Sequence, residues 1–100
     1  MKCRSYNMFF DTFSNRTRMK IIEALISGPK SVSEICSLIK EEQSKVSHNL
    51  TKLIECRLLD VEREGKQRIY SLNKDTIIPI LKLVEKHVHK YCGEVCRKRK

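Results

Sequence analysis

The stretch QSKVSHNLTKLIECRL, residues 43–58, decides the fold of this chain. Its apolar residues recur every three or four positions, which is the spacing of one face of an α-helix. The opposite face is polar, and a helix of this kind packs its apolar face on a core while offering hydrogen-bonding side chains to a partner. The apolar face comprises Val46, Leu50, Leu53, Ile54 and Leu58, and the polar face comprises Gln43, Ser44, Lys45, Ser47, His48, Thr51 and Lys52.

Further helices are predicted upstream of this stretch. Residues 12–28 place apolar side chains at helical spacing behind Ser14 or Asn15 as N-cap, and a Gly-Pro pair ends that helix. The sequence Ser31-Val32-Ser33-Glu34 is a capping-box pattern, which predicts a short helix separated from residues 43–58 by a tight turn. Near the start of the chain, a short aromatic-rich helix contains Tyr6, Met8, Phe9, Phe10 and Phe13.

The sequence after residue 58 predicts a β-hairpin followed by a long helix. From Leu59 onward apolar and polar residues alternate, residues 64–67 form a polar tip, and residues 68–72 are extended again. After Asn73 or Asp75 as cap, apolar residues are spaced alternately by four and three positions, as in a helix that packs along its length on another helix. These residues are Ile77, Leu81, Val84, Val88, Tyr91 and Val95.

This order of elements is that of a winged helix-turn-helix domain, which is mainly α-helical with a small β-hairpin wing. At 100 residues the chain is long enough for one modest core and too short for a second domain. We expect a single domain over residues 1–96 and a basic disordered tail over residues 97–100. The four-three stripe of the last helix predicts that this helix packs on a second copy of the chain, through Ile77, Leu81, Val84, Val88, Tyr91 and Val95.

The charge of the chain favours a polyanionic partner. Its formal net charge is +9 at pH 7, and a winged helix-turn-helix places its second helix in the major groove of DNA. The hairpin tip would then reach the DNA backbone or the minor groove. We expect double-stranded DNA with a palindromic operator and a second copy of the chain as partners. The expected DNA contacts are Gln43, Ser44, Lys45, Ser47, His48, Lys52, Lys66, Gln67 and Arg68.

The sequence argues against several other classes of protein. No apolar run is long enough to cross a bilayer and no signal segment is evident, so we expect a cytoplasmic protein without a membrane partner. The five cysteines are odd in number and scattered, which argues against a secreted disulfide framework. His48, His87 and His89 have no nucleophile and orienting acid nearby in sequence, so we expect no enzyme activity. The alternative to a DNA-binding regulator is a winged-helix protein-interaction module with only non-specific nucleic-acid affinity.

Four blocks of the sequence resemble the ArsR/SmtB family of bacterial and archaeal transcriptional regulators. The most specific block is Gln-Ser-x-Val-Ser-His-x-Leu, in register with a basic wing that ends in Tyr-Ser-Leu. The resemblance implies a dimeric winged-helix repressor that binds an operator and, in many members, releases it when a metal ion binds. It also implies that the chain dimerises through its first and last helices, which adds Phe9 and Phe10 to the expected dimer interface. It covers residues 9–73, and the blocks are residues 13–22, 33–36, 43–50 and 63–72.

The start of the helix at Gln43 and the cysteine pattern are among the departures from the family pattern. The family usually has Ser or Thr as N-cap directly before the helix that begins here at Gln43. This chain has Glu42 at that position, preceded by Glu41. Carboxylates favour a helix N-terminus through the helix dipole but repel a phosphate there, so we expect the DNA affinity to depend more on the wing. The family's arsenic-type site needs a Cys-x-Cys pair, and Cys36 supplies only one thiol. We expect Cys36 and Cys56 to pack as small core residues.

The last helix carries a second candidate metal site. His89, Cys92 and Cys96 share a face with Glu85, and thiolates with an imidazole suit zinc or another thiophilic metal ion. An oxidative thiol switch through Cys92 and Cys96 is one alternative, and an inert apolar stripe is another. The sequence therefore leaves the effector open.

Overall fold

The computed structural model describes the backbone of residues 3–92 and the side chains of residues 6–92. Over this range, the chain forms five α-helices and one small antiparallel sheet, and a π-helical turn follows the last α-helix. The elements are α1 (Cys3–Phe13), α2 (Arg16–Ile26), β1 (Lys30–Ser31), α3 (Val32–Ile39), α4 (Gln43–Glu55), β2 (Leu59–Glu64), β3 (Gln67–Leu72), α5 (Ile77–His87) and the π-helical segment Val88–Cys92. The predicted winged helix-turn-helix is confirmed, with α3 and α4 as the helix pair and the β2–β3 hairpin as the wing.

Side-chain caps fix where α2 and α3 begin. The Asn15 side chain accepts a hydrogen bond from the Arg18 amide at 3.0 Å. At α3, the Ser31 hydroxyl accepts from the Glu34 amide at 3.3 Å, and the Glu34 carboxylate accepts from the Ser31 amide at 3.0 Å. The hydrogen bond from the Ser31 backbone is the largest cause that lowers the pKa of Glu34 below its ordinary value of 4.5. The predicted capping box is therefore confirmed, and Asn15 rather than Ser14 caps α2.

A third strand, which the sequence did not predict, joins the hairpin. Strand β1 pairs antiparallel with β3, so that Lys30 lies opposite Tyr70 and Ser31 lies opposite Ile69. Because β3 also pairs with β2, the strand order is β1-β3-β2. Ser31 is thus both a strand residue and the N-cap of α3. This double role fastens the wing to the start of the helix-turn-helix.

The core lies between α2, α3, α4 and the inner face of the sheet. Complete burial of a Leu, Ile or Val side chain stabilises a fold by about 1.5–3 kcal/mol, so this cluster is the main driving force for folding. Ile77, which we expected at the dimer interface, is 0% exposed within one chain. That expectation is wrong, because the first turn of α5 closes the core. The cluster comprises Ile21, Ile22, Leu25, Ile35, Val46, Leu50, Leu53, Leu58, Leu59, Tyr70, Leu72 and Ile77.

The last helix differs from the prediction at both of its described ends. Thr76 occupies the N-cap position without a side-chain hydrogen bond, whereas Asn73 accepts from the Asp75 amide at 2.8 Å in the preceding turn. The predicted Asn73 or Asp75 cap is therefore wrong. α-Helical hydrogen bonding ends at His87, and the segment Val88–Cys92 is π-helical. A π turn inserts extra backbone into the helix, so it breaks the register of the predicted four-three stripe.

The two cysteines expected in the core have different environments. Cys36 is half-buried and packs against the core, as expected. Cys56 is exposed, so the expectation of a core position is wrong. It occupies the C-cap of α4, and the chain leaves the helix there through Arg57, whose φ of 62° lies in the left-handed region. The predicted tail of residues 97–100 lies outside the described residues.

Candidate nucleic-acid interface

Helix α4 presents its polar face to solvent and its apolar face to the core. Val46 and Leu53 are 0% exposed and Leu50 is 1% exposed. Ser47 is half-buried, and the other α4 residues expected to contact DNA are exposed. A helix of this kind can enter the major groove of DNA, which is about 12 Å wide, while its apolar face stays packed on the core. The exposed residues are Gln43, Ser44, Lys45, His48 and Lys52.

A buried amide ties α4 to the start of α2. Asn49 is 5% exposed, and its side-chain oxygen accepts a hydrogen bond from Arg18 Nε at 2.9 Å. Its side-chain nitrogen donates to the Lys45 carbonyl at 2.9 Å. Sequence reasoning missed this contact, although position 49 lies three residues after Val46 and four before Leu53, on the apolar face. An Asn on an apolar face is the signal that a buried polar partner exists.

A second polar cluster lies directly before α4 and centres on Glu41. Its carboxylate accepts a hydrogen bond from the Thr17 hydroxyl at 3.2 Å. The same oxygen lies 3.5 Å from Lys45 Nζ and 3.9 Å from Lys20 Nζ. Partial burial raises the pKa of Glu41, but Lys45, the Thr17 hydroxyl and Lys20 together lower it by more. The pKa of Glu41 is therefore below its ordinary value. The carboxylate is therefore ionised at neutral pH.

Glu42 occupies the N-cap position of α4 but does not cap it. Its side chain is exposed and makes no cap hydrogen bond. Short side chains such as Ser, Thr or Asp reach the amides of the first turn, and a longer Glu side chain suits this role poorly. Of the two adjacent carboxylates, only Glu41 is therefore held by neighbouring side chains.

The wing places two arginines directly opposite each other. Arg63 on β2 pairs with Arg68 on β3, and both are exposed. Directly opposed residues share a face of the sheet, and Arg63 was not among the expected contacts. Alternation puts Asp60, Glu62 and Glu64 on the other face of β2. The turn between the strands uses Gly65, whose φ of 64° favours glycine, and the predicted contacts Lys66, Gln67 and Arg68 are exposed.

Apolar side chains are exposed on α1 and along α5. A groove of about 910 Å³ lies between α2 and α5, and Met19 and Ile26 line it from the α2 side. Contiguous exposed apolar surface is typical of an interface with another chain. Of the residues expected at the dimer interface, Phe10, Val84, Val88 and Tyr91 are exposed, Phe9 and Leu81 are half-buried, and Val95 lies outside the described residues.

The candidate metal ligands are not gathered into a site within the described part of the chain. Residues 3–92 contain no group of three or more His, Cys, Asp or Glu side chains that could hold a metal ion. His89 is exposed and Cys92 is half-buried, both in the π-helical segment, and Cys96 lies outside the described range. Among the described helices, none has the length and apolar character needed to cross a membrane.

Comparison with known proteins identifies relatives of this chain. A model of the arsR family of bacterial regulatory proteins matches residues 15–61, from the N-cap of α2 into β2. An uncharacterized HTH-type transcriptional regulator of Methanocaldococcus jannaschii is 30% identical over 77 residues, which are 76% of this chain and 86% of that protein. A probable mercury resistance operon repressor of Streptomyces lividans is 25% identical over 75% of this chain, which spans 60% of that repressor's length.

A solved structure supports the architecture. The solution structure of the homodimeric winged helix-turn-helix DNA-binding domain Mb0332 from Mycobacterium bovis matches with a TM-score of 0.82. The match covers 91% of this chain and 84% of that one, at 20% identity, so it shows a shared fold. The matched family model, the relative at 30% identity and the winged-helix architecture agree with one another. The chain belongs to the arsR family of bacterial regulatory proteins.

Proposed function

We propose that the protein is a cytoplasmic transcriptional repressor that binds a palindromic operator in double-stranded DNA as a homodimer. The observation that carries this proposal is the division of α4 into a buried apolar face and an open polar face. Its apolar residues already lie in the core, so its exposed side chains are available for base edges in the major groove.

The wing and the net charge support a DNA partner. Like charges directly opposite each other destabilise a hairpin, and a bound phosphate would relieve the repulsion between Arg63 and Arg68. The formal net charge of +9 adds a general attraction to the DNA backbone. We therefore include Arg63 with Lys66, Gln67 and Arg68 in the proposed contact surface.

The exposed apolar side chains of α1 and α5 support the homodimer, as does the homodimeric state given for the M. bovis domain. A two-fold dimer presents two copies of α4 to DNA half-sites about 34 Å apart, which is one helical turn. Such symmetry requires a palindromic operator. The S. lividans relative is described as a probable repressor, which supports repression rather than activation.

Fluorescence anisotropy with duplex DNA from the protein's own promoter, at two salt concentrations, tests the proposal. We expect saturable binding that weakens with salt and survives an excess of random competitor DNA. Weak binding that the competitor removes completely would instead support the protein-interaction module.

Replacing Ser47 and His48 by Ala tests whether α4 reads the bases. We expect the operator affinity to fall by about 1–3 kcal/mol per lost base contact, with relaxed discrimination against point-substituted operators. Ser37→Ala on the exposed side of α3 is the matched control and should leave binding unchanged. Unchanged operator affinity in the double variant would show that α4 is not the reading helix.

The metal prediction is tested separately from DNA binding. Elemental analysis of the purified, reduced protein would support a site at His89, Cys92 and Cys96 if it found one zinc ion per chain and lost it on substitution of Cys92. Protein without bound metal after zinc addition would contradict the site. The repressor proposal depends on neither outcome.

A further inference from the structure

We propose that Glu41 limits the sequence-independent DNA affinity of the protein by holding Lys45, a lysine of the recognition face, away from phosphate groups. This inference rests on the proposed DNA-binding function. It assigns a role to a residue that lies outside α4 and outside the expected contact surface.

The geometry sets Glu41 against a charge that DNA would otherwise attract. Lys45 lies on the exposed face of α4, with its side chain 55% exposed, and its ammonium lies 3.5 Å from the Glu41 carboxylate. The Glu41 side chain is only 21% exposed. The Thr17 hydroxyl donates to the same carboxylate oxygen at 3.2 Å, which fixes its position. Glu41 is therefore the anchored partner of this pair, and Lys45 is the partner that can be drawn away.

The position of Glu41 next to the start of α4 stabilises its charge. Glu41 lies two residues before Gln43, the first residue of α4. A carboxylate at the N-terminal end of α4 is stabilised by the helix dipole. The lysines and the Thr17 hydroxyl keep Glu41 ionised at neutral pH. The carboxylate is thus a stable internal substitute for a DNA phosphate.

Competition between the carboxylate and a phosphate then follows. Sequence-independent binding depends on the number of phosphates that Lys and Arg neutralise. While Lys45 stays beside Glu41, the carboxylate already offsets its charge, so Lys45 neutralises a phosphate fully only when it moves away from Glu41. Removing a half-exposed ion pair of this kind should change the affinity for random-sequence DNA by about two- to fivefold.

The experiment compares two neighbouring carboxylates of equal charge, of which Glu41 pairs with Lys45 and Glu42 makes no cap hydrogen bond. Glu41→Gln removes the charge but keeps an oxygen that can accept from Thr17. Glu42→Gln is the matched control, because it removes the same charge one residue later from a side chain without a cap hydrogen bond. Fluorescence anisotropy with a random-sequence duplex at two salt concentrations measures both variants, alone and combined with Lys45→Met. Thermal unfolding by circular dichroism verifies that each variant is folded.

We expect Glu41→Gln to bind random duplex about two- to fivefold more tightly than Glu42→Gln at low salt, with a steeper salt dependence. In the Lys45→Met background this difference should disappear. Equal affinities for the two single variants, or a Glu41→Gln gain that persists without Lys45, would overturn the inference while leaving the proposed function intact. Failure of the wild-type protein to bind any duplex would contradict both.

Discussion

Helices α4 and α5 are amphipathic and of similar length, at 13 and 11 residues, yet one chain buries the apolar face of α4 along the helix and that of α5 fully only at its first residue. In α4 the buried residues recur along the helix, whereas in α5 only Ile77 is buried. Covering exposed apolar surface lowers the free energy, and a large exposed apolar patch is typical of an interaction site. Amphipathic spacing therefore predicts that a face will be covered, but it does not say which chain covers it.

The largest expected effect comes from placing Asp at Val84 and Val88, which tests whether a second chain covers α5. Burying an unpaired carboxylate costs several kcal/mol, so the double variant should sediment as a single chain where the wild type sediments as two. Leu38→Asp on α3 is the control, because Leu38 is 58% exposed and lies outside the expected interface. A double variant that still sediments as two chains would refute the dimer surface.

A pair of leucines tests the comparison through stability. Leu53→Ala in α4 should lower the free energy of unfolding by about 2–5 kcal/mol, because it leaves a cavity in the core. Leu83→Ala in α5 removes the same atoms from a side chain that is 66% exposed, and should change it by at most about 0.5 kcal/mol. Urea denaturation at one protein concentration measures both. Equal losses would mean that Leu83 is covered in the folded protein, and equal losses that persist in the Val84→Asp, Val88→Asp background would show that its own chain covers it and that the contrast between the helices is wrong.

Asn49→Ala tests the polar part of the α4 anchorage. The substitution removes the acceptor for Arg18 Nε and the donor to the Lys45 carbonyl, and we expect a loss of about 1–3 kcal/mol in the free energy of unfolding. Thr51→Ala is the control, since its hydroxyl bonds to the Ser47 carbonyl on the exposed face. If the Asn49 variant is as stable as the Thr51 variant, apolar packing alone holds α4.

The smallest expected effect is on the melting temperature and comes from the Glu34 carboxylate in the capping box of α3. The folded pKa of Glu34 is lowered below 4.5, so its ionised form contributes stability that is fully present above the unfolded pKa. That contribution is lost as the pH falls through the folded pKa. We therefore expect the melting temperature of the wild type to exceed that of Glu34→Gln at neutral pH, and the difference to shrink in acid.

Thr76→Ala provides the contrast for this titration, because Thr76 makes no side-chain cap hydrogen bond at the start of α5. Its melting temperature should differ from that of the wild type by an amount that does not depend on pH. A Glu34→Gln difference that persists unchanged in acid would mean that the carboxylate charge does not matter to the capping box.

Where the sequence predicted the structure well, the signal was local. The three- and four-residue spacing of apolar residues in α4, the Ser31–Glu34 capping box and the polar tip of the hairpin each specify an element from a few neighbouring positions. Strand β1 was missed because its two residues are too few to show a period. The π-helical segment was missed because side-chain spacing does not report a change in backbone hydrogen bonding.

The missed parts of the candidate site depend on contacts between distant positions. Thr17 and Glu41 are 24 residues apart, and Arg18 and Asn49 are 31 residues apart. No periodicity in the sequence connects such positions. Ile77 was misassigned for a related reason, since its place in the apolar stripe is the same whether its own chain or a partner covers it. The pairing of Arg63 with Arg68 became visible only once the hairpin register was known.

The short strand β1 also bears on how DNA would be selected. Strand β1 pairs with β3, and Ser31 of β1 is also the N-cap of α3. The base of the wing is therefore joined to the helix-turn-helix by backbone pairing as well as by the chain itself. We expect the angle between wing and α4 to be nearly fixed, so that the duplex, and not the protein, makes the adjustment when the two do not match. Sequences that bend or narrow their grooves at low cost would then be preferred even at positions that no side chain touches.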